Sequence, residues 1–271
     1  MEIIRKTGRI CYALAMAGVG IHQLFYADFC NFIFPAWPHP FAGYSVLACL
    51  LSLFFVGCSL AIIFEKKAKS SALVLGGILL ILLFFGQVPY EFIIIPYKKT
   101  HLGLWTVALK ELALAGGAFC VAGSFADEKS SNFSIHLLEK LIPIGRFLFC
   151  TTMISFGISH FLYIASVADM VPAGIGSRYF WAYFAGVALI AGGAAIVLNI
   201  YLKLAALLMA AMIFIWFIFL HIPDAISNPL VDHGNEITAA LSALAFSGIA
   251  MVIATSPAHQ SLIYKRLISI Q

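Results

Sequence analysis

The chain has 271 residues, of which 62% are hydrophobic and 10% are charged, and its formal net charge is +4. In soluble domains about a quarter of the residues are charged, so this composition excludes an ordinary soluble domain and indicates an integral membrane protein whose first partner is the lipid bilayer. The basic residues lie at helix ends and form no stripe, which argues against a nucleic-acid partner.

Eight apolar segments reach the roughly 20 residues that a helix needs to cross a bilayer. The first follows a basic arm and could pass for a signal peptide, but a similar Gly-Arg start inside the chain favours a retained helix. Only Lys203 and a shift in the apolar pattern separate the sixth segment from the seventh. The predicted spans are approximately residues 10–28, 41–64, 71–88, 103–124, 145–166, 179–200, 204–222 and 237–255.

The chain repeats itself. Residues 8–36 recur 137 positions later, and the offset falls to 134 at Pro89 and Pro223. The aligned pairs are Gly8 with Gly145, Arg9 with Arg146, Gly20 with Gly157, Tyr26 with Tyr163 and Pro35 with Pro172. A duplicated unit with an even number of spans enters the membrane the same way twice. We therefore predict an all-α integral membrane fold of eight transmembrane helices, arranged as two parallel-oriented four-helix-bundle repeats.

Three regions follow from this division. Residues 1–125 form the first repeat, residues 126–143 a cytoplasmic linker, and residues 144–271 the second repeat with a C-terminal tail. The linker's second half alternates apolar residues with Glu139 and Lys140, which predicts a short helix lying in the membrane interface.

Lysine and arginine placement predicts that both termini are cytoplasmic, and we expect a bacterial inner membrane. Three basic residues, Lys98, Lys99 and Arg178, lie on the predicted outer side. The predicted cytoplasmic side carries Arg5, Lys6, Arg9, Lys66, Lys67, Lys69, Lys129, Lys140, Arg146, Lys203, Lys265 and Arg266.

The predicted outer connections are rich in proline and aromatic residues. They include Phe34 to Pro40, with Trp37 and His39, and the segments around Pro89, Pro96, Pro172 and Pro223. A proline after each odd-numbered span is expected to end it. The aromatic rings fit an interfacial belt, and they also fit a lid over a ligand; the two interpretations are compatible.

Polar side chains within the spans are few and collect near the outer ends. His22, Gln23, Gln87, His160 and His221 are the main ones. Because polar groups are costly in a bilayer, such residues usually face the bundle interior or a wet cavity. We therefore expect a polar floor beneath the outer connections.

Lys110 and Glu111 lie about 10 to 12 Å into the fourth span at helical rise. Adjacent helical residues point about 100° apart, so the two cannot pair well with each other. Glu111 could meet His22, His101 or a bound ligand. A functional role and structural pairing with other groups both remain open.

Cofactor and metal motifs are weak. The six cysteines form no CxxC pair and suit helix packing. Asp232, His233 and Glu236 could ligate a metal, but acidic residues also suit a helix N-terminus, and no metal site is predicted. A haem between His160 and His221 is not expected, because the first repeat has Gln87 in place of His221.

Several motifs together resemble the DoxX family. They are Gly157-x-x-His160-Phe161-x-Tyr163, Val171-Pro172, the aromatic cluster Tyr179 to Tyr183 leading to Gly186, the Asn228-Pro229 loop, and the Lys110 to Gly117 helix. The resemblance covers residues 8–124 and 145–255, and since family members are typically single four-helix units, it implies a tandem duplication. It also implies a membrane partner for redox chemistry, with a quinone between the helices, but it supplies no catalytic residue.

Two functions remain open. The first is a quinone-interacting or redox-complex membrane subunit, with His22, Gln23, Lys110 and Glu111 providing donors and an acidic group beneath the outer loops. The second is non-enzymatic binding or transport of a lipid or small molecule, or assembly of a complex. Whether the chain is an enzyme is undecided. The candidate ligand-binding residues are His22, Gln23, Gln87, Lys110, Glu111, His160, His221, Trp37 and His101.

Overall fold

The computed structural model describes residues 1–37, 42–94, 101–126 and 133–256, and these residues form helices and connecting turns without a strand. The α-helices are α1 (Glu2–Tyr26), α2 (Tyr44–Ile63), α3 (Ala68–Leu82), α4 (Val88–Ile93), α5 (Thr106–Gly123), α6 (Phe133–Glu139), α7 (Ile142–Leu162), α8 (Ile164–Met170), α9 (Arg178–Leu198), α10 (Leu202–Trp216), α11 (Ile222–Ser227) and α12 (Asn235–Thr255).

Seven helical stretches of the described residues are long and apolar enough to cross a membrane. They correspond to the second to eighth predicted spans and run Tyr44–Ile63, Ala68–Ile93, Leu102–Gly123, Ile142–Leu162, Arg178–Val197, Leu202–Ser227 and Val231–Thr255. Helix α1, which contains the first predicted span, is not among them. Its 25 residues include a basic first third and the polar pair His22 and Gln23, which lower its hydropathy.

The long helices pack as one closed ring. Neighbours around it are α1, α2, α3, α5, α7, α9, α10 and α12, and α12 packs back on α1. Helices α5 and α12 also contact each other across the middle, and they are the most buried of the seven candidate spans. The first helix of each sequence half thus packs on the last helix of the other half, so the halves form one bundle instead of two separate ones.

Glycines permit two of the close helix contacts between the halves. A Cβ placed on Gly8 of α1 would lie 2.6 Å from the Gly248 carbonyl oxygen of α12. A Cβ on Gly145 of α7 would lie 2.6 Å from the Gly116 carbonyl oxygen of α5. Small residues at such positions let membrane helices approach backbone to backbone. These glycines therefore fix how closely the halves pack.

Two predicted helix ends are wrong. Pro89 and Pro223 do not end the third and seventh spans, because each lies in the first turn of a further helix, α4 or α11, where a missing N–H costs least. A π-helical turn precedes each proline, at Leu83–Gln87 and Phe217–His221. The wider turn absorbs the altered hydrogen bonding, so each helix continues through the proline.

We call the end of the bundle that holds the start of α1, the α2–α3 and α9–α10 connections and α6 the basic face. There Arg9 is buried, donates to Ser124 and lies 3.6 Å from a Glu65 carboxylate oxygen. Helix α6 lies within the predicted linker region, and Lys69 of α3 holds it through a 2.7 Å salt bridge to Glu139. The other end is called the opposite face.

Some predictions fall on residues outside the described ranges. They concern Pro38, His39 and Pro40, the segment with Pro96, Lys98 and Lys99, Lys129 in the linker, and the tail with Lys265 and Arg266.

Candidate functional site

Lys110 and Glu111 lie in the middle of the ring on α5, and they face different surroundings. Lys110 is partly buried and lines two cavities. Among the described residues it has no hydrogen-bond partner, and Glu236 of α12 supplies an attractive charge nearby. Glu111 is completely buried, and neither of its carboxyl oxygens has a hydrogen-bond partner in the part of the chain that the structure describes. Lys110 therefore faces two cavities, whereas Glu111 is enclosed by protein.

The first cavity, the apolar cavity, has a volume of about 240 Å³ and lies among α7, α8, α9, α10 and α12. Its walls are mostly apolar side chains. Its polar members are few, and they are Lys110, His160, Trp181, His221 and Ser242.

The polar members of the apolar cavity differ in how well they are satisfied. His160 Nδ1 lies 2.8 Å from the Phe156 carbonyl oxygen of its own helix. His221 ends the second π-helical turn, and its buried Nδ1 has no partner. Together with the Lys110 ammonium, it offers an unused hydrogen-bonding group to an occupant of this cavity.

Two tryptophans line the wall of the apolar cavity between α9 and α10. The rings of Trp181 and Trp216 meet edge to face, with centroids 6.1 Å apart. Trp181 also donates its indole N–H to the Ile175 carbonyl oxygen at 2.9 Å. Aromatic rings at this place add large apolar surfaces to the cavity wall.

The second cavity, the polar cavity, has a volume of about 220 Å³ and lies between α1, α5 and the start of α12. Exposed Asp232 and His233 mark its mouth at the opposite face, and buried Thr238 lies deeper in it. His22, Asp28 and Asn31 also line it, and Lys110 is the residue that lines both cavities.

His22 is held by its surroundings in the polar cavity. Its Nδ1 lies 3.3 Å from the Cys30 sulfur, and its buried Nε2 faces the backbone of Gly234. Gly234 passes so close that a Cβ there would lie 2.6 Å from Nε2, and its φ of 72° also favours glycine. Burial raises the pKa of Cys30 to about 12, so this side chain is a thiol at neutral pH and no nucleophile.

Gln23 is structural. It is completely buried, donates to Ser52 Oγ at 3.0 Å and accepts from the Cys30 backbone N–H at 3.2 Å. Gln87, in the first π-helical turn, donates to a Glu91 carboxylate oxygen at 3.3 Å. Neither glutamine lines the apolar or the polar cavity.

Trp37 and His101 also lie away from both cavities. Trp37 packs edge to face on Tyr90, with centroids 5.5 Å apart. His101 stacks on Tyr163, which links the two sequence halves at the opposite face. The residues expected to form one polar floor are thus divided among two cavities, the separate hydrogen bonds of two buried glutamines, and aromatic contacts near the surface.

Several lining residues were missed as site residues. The sequence groups Cys30 with cysteines that suit helix packing, and it offers His233 only as a possible metal ligand, with no metal site predicted. Trp181 belongs to the aromatic cluster of the DoxX resemblance, and Thr238, Trp216 and Ser242 carry no sequence signal of a site. The described residues hold no group of three His, Cys, Asp or Glu side chains placed to bind a metal ion.

Comparison with known proteins gives one positive result. Residues 141–222 match the DoxX family model. No curated protein and no solved structure matches the chain. The matched segment contributes most of the residues that line the apolar cavity. The chain is therefore an integral membrane protein with several spans and a DoxX domain at residues 141–222, in agreement with the resemblance found from its motifs.

Proposed function

We propose that this protein binds a quinone head group in the apolar cavity, as a membrane subunit that works with a redox partner protein. The observation that carries the proposal is an apolar cavity, lined by two tryptophans, with unused hydrogen-bonding groups at Lys110 and His221. A quinone ring is flat and apolar and has two carbonyl oxygens that accept hydrogen bonds. The Lys110 ammonium can donate to one of them.

The size of the cavity supports a ring rather than a whole lipid. About 240 Å³ lies below the range of roughly 300 to 1,000 Å³ typical of pockets for drug-sized ligands. A head group fits within such a volume, and an isoprenoid tail would then pass between helices into the surrounding lipid. The exposed side chain of Met170 on α8 marks one edge where the cavity approaches the protein surface.

The proposed architecture is a tandem duplication with eight spans, of which α1 is the first. A two-fold axis along the bundle would relate the two repeats. Backbone details support it at an offset of 134 residues. Glu65 and Lys67 adopt left-handed conformations, and so do Asn199 and Tyr201. The two π-helical turns have the same offset, and Arg9 contacts Glu65 as Arg146 contacts Asn199.

The proposed orientation places the basic face in the cytoplasm of a bacterial cell. Lys66, Lys69, Arg146 and Lys203 all belong to that face, as the positive-inside rule requires. The polar cavity then opens to the outer side.

The second candidate function is non-enzymatic binding of a lipid or small apolar molecule for transport or complex assembly. The largely apolar lining, with Met153 and Met212 as adaptable side chains, favours it. Under this function an occupant would not need the Lys110 ammonium.

Tryptophan fluorescence tests the proposal, because Trp181 and Trp216 line the cavity. We expect decylubiquinone to quench the emission of the protein in nanodiscs in a saturable manner. Ala185→Leu fills part of the cavity and should weaken the apparent affinity about tenfold, equivalent to about 1.4 kcal/mol. Ala191→Leu on the exposed side of the same helix is the matched control and should bind normally.

Two results would count against the proposal. If quenching does not saturate, the protein has no specific quinone site. If neither Ala185→Leu nor Ala191→Leu changes the quenching, the quinone does not bind in this cavity. Saturable binding of a quinone-free alkyl lipid with the same sensitivity to Ala185→Leu would favour the second function.

A further inference from the structure

The two cavities meet at one residue. Lys110 lines the apolar cavity with His160 and His221, and it lines the polar cavity with His22 and Thr238. No other described residue belongs to both linings. An ammonium group placed in this way can contact an occupant on one side and polar surroundings on the other.

The polar cavity has the chemistry of a route to water. Its volume of about 220 Å³ is room for several water molecules at about 30 Å³ each. Exposed Asp232 and His233 lie at its mouth, and Asn31 and Thr238 provide hydrogen-bonding groups along it. His22 adds a further hydrogen-bonding side chain to the lining.

The charges along this cavity do not select an anion. Lys110 and the histidines are balanced by acidic groups, so the lining suits water and protons better than a bound anion. The titratable groups that face Lys110 or line its two cavities are His22 and Tyr26 on α1, Asp28 and Cys30 after α1, His160 on α7, His221 in the second π-helical turn, Asp232 and His233 before α12, and Glu236 on α12.

We propose that the polar cavity supplies protons from the opposite face to the quinone bound in the apolar cavity, and that Lys110 transfers them. This inference rests on the proposed function. Reduction of a quinone to the quinol takes up two electrons, which a redox protein supplies, and two protons. Lys110 gives up an ammonium proton as an O–H bond forms on the quinone oxygen. Its amine then takes a proton from water in the polar cavity.

The substitution Lys110→Arg distinguishes proton transfer by Lys110 from the effects of its charge and its hydrogen bonds. An arginine side chain donates hydrogen bonds and keeps the positive charge, but it does not give up its proton at neutral pH. If Lys110 only positions the ligand, Lys110→Arg should restore what Lys110→Met removes. If Lys110 transfers protons, both variants should be impaired.

The main test measures reduction of decylubiquinone by dithionite, at saturating quinone for each variant, in nanodiscs, after subtraction of the rate in empty nanodiscs. We expect Lys110→Met and Lys110→Arg to slow the protein-dependent rate at least tenfold. Lys203→Met, at the basic face, is the control and should leave it unchanged. A rate for Lys110→Arg within twofold of the unaltered protein would overturn the inference.

Paired substitutions on α12 test the route itself. Thr238→Leu narrows the polar cavity and should slow reduction at least threefold, with fluorescence quenching by decylubiquinone unchanged. Thr255→Leu, near the other end of the same helix and in the lining of neither cavity, is the control and should react normally. Equal rates in both variants would overturn the route.

Thiol labelling gives a readout that needs no quinone. Thr238 and Ser242 lie one turn apart on α12 but line different cavities. A charged, membrane-impermeant methanethiosulfonate reagent should label Thr238→Cys above the level of the native cysteines and should not label Ser242→Cys. Absence of labelling at Thr238→Cys overturns the water route, whatever quinone does. If decylubiquinone does not quench the unaltered protein in a saturable manner, the proposed function is refuted, and this inference is refuted with it.

Discussion

The buried Glu111 carboxyl group gives the sharpest prediction about stability. It is 0% exposed, and neither oxygen has a hydrogen-bond partner among the described residues. Mutational data put the cost of burying an unpaired polar group at about 1 to 3 kcal/mol. Glu111→Leu removes that cost and keeps a side chain of similar size, so we expect the free energy of unfolding to rise by about 1 to 3 kcal/mol.

Glu91 provides the matched control. It is also buried, but it accepts a hydrogen bond from Gln87. Glu91→Leu leaves the Gln87 amide without that partner, so it should lower the free energy of unfolding by about 1 kcal/mol or more. Opposite signs for the two substitutions are therefore the expected pattern.

Unfolding in mixed micelles, with sodium dodecyl sulfate as denaturant and circular dichroism as readout, measures both variants. At about 2 to 4 °C per kcal/mol, Glu111→Leu should also melt a few degrees higher. A loss of 2 kcal/mol or more in Glu111→Leu would refute the reasoning, because it would mean that the carboxyl group has a partner in the folded protein.

Three further predictions concern other parts of the bundle. Gly145→Ala forces a Cβ against the backbone of α5 and should destabilise the protein by about 1 to 3 kcal/mol in the same assay, whereas Gly57→Ala meets open space and should not. Hydrogen bonds from Lys69 and then His136 lower the pKa of Glu139 below its ordinary value of 4.5. They therefore stabilise the docking of α6 fully at pH values above 4.5, and this stabilisation is lost as the pH falls further. Protease cleavage next to α6, measured against pH, should report the loss. With its raised pKa, Cys30 as sole cysteine should react with N-ethylmaleimide at pH 8 at least about a hundredfold more slowly than free cysteine.

Hydropathy predicted most of the fold. The bilayer imposes a length and a polarity on each span, so seven of the predicted segments match helical stretches that can cross a membrane. The packing partners of each span were harder to predict from the sequence, because helices in lipid pair through close approach of small residues and not through an apolar pattern. The Gly8–Gly248 and Gly145–Gly116 contacts each cross from one sequence half to the other, and they join the halves into one ring.

The candidate site residues follow from the cost of polar groups in lipid, which singles out Lys110, His22, His160 and His221. The structure places these four residues in the linings of the two cavities, and their role in ligand binding stays a prediction. Sequence could not show that Gln23 is fully satisfied, because its partner Ser52 lies on another helix. It also could not show that Pro89 continues its helix, since the π-helical turn before it has no distinct motif.

A structure of the protein with decylubiquinone bound, determined in nanodiscs, tests the central claim most directly. We expect the quinone ring in the apolar cavity beside Trp181, with one carbonyl oxygen within about 3 Å of Lys110 Nζ. An apolar cavity that is filled by an acyl chain at saturating quinone, or a ring bound elsewhere on the protein, would contradict it.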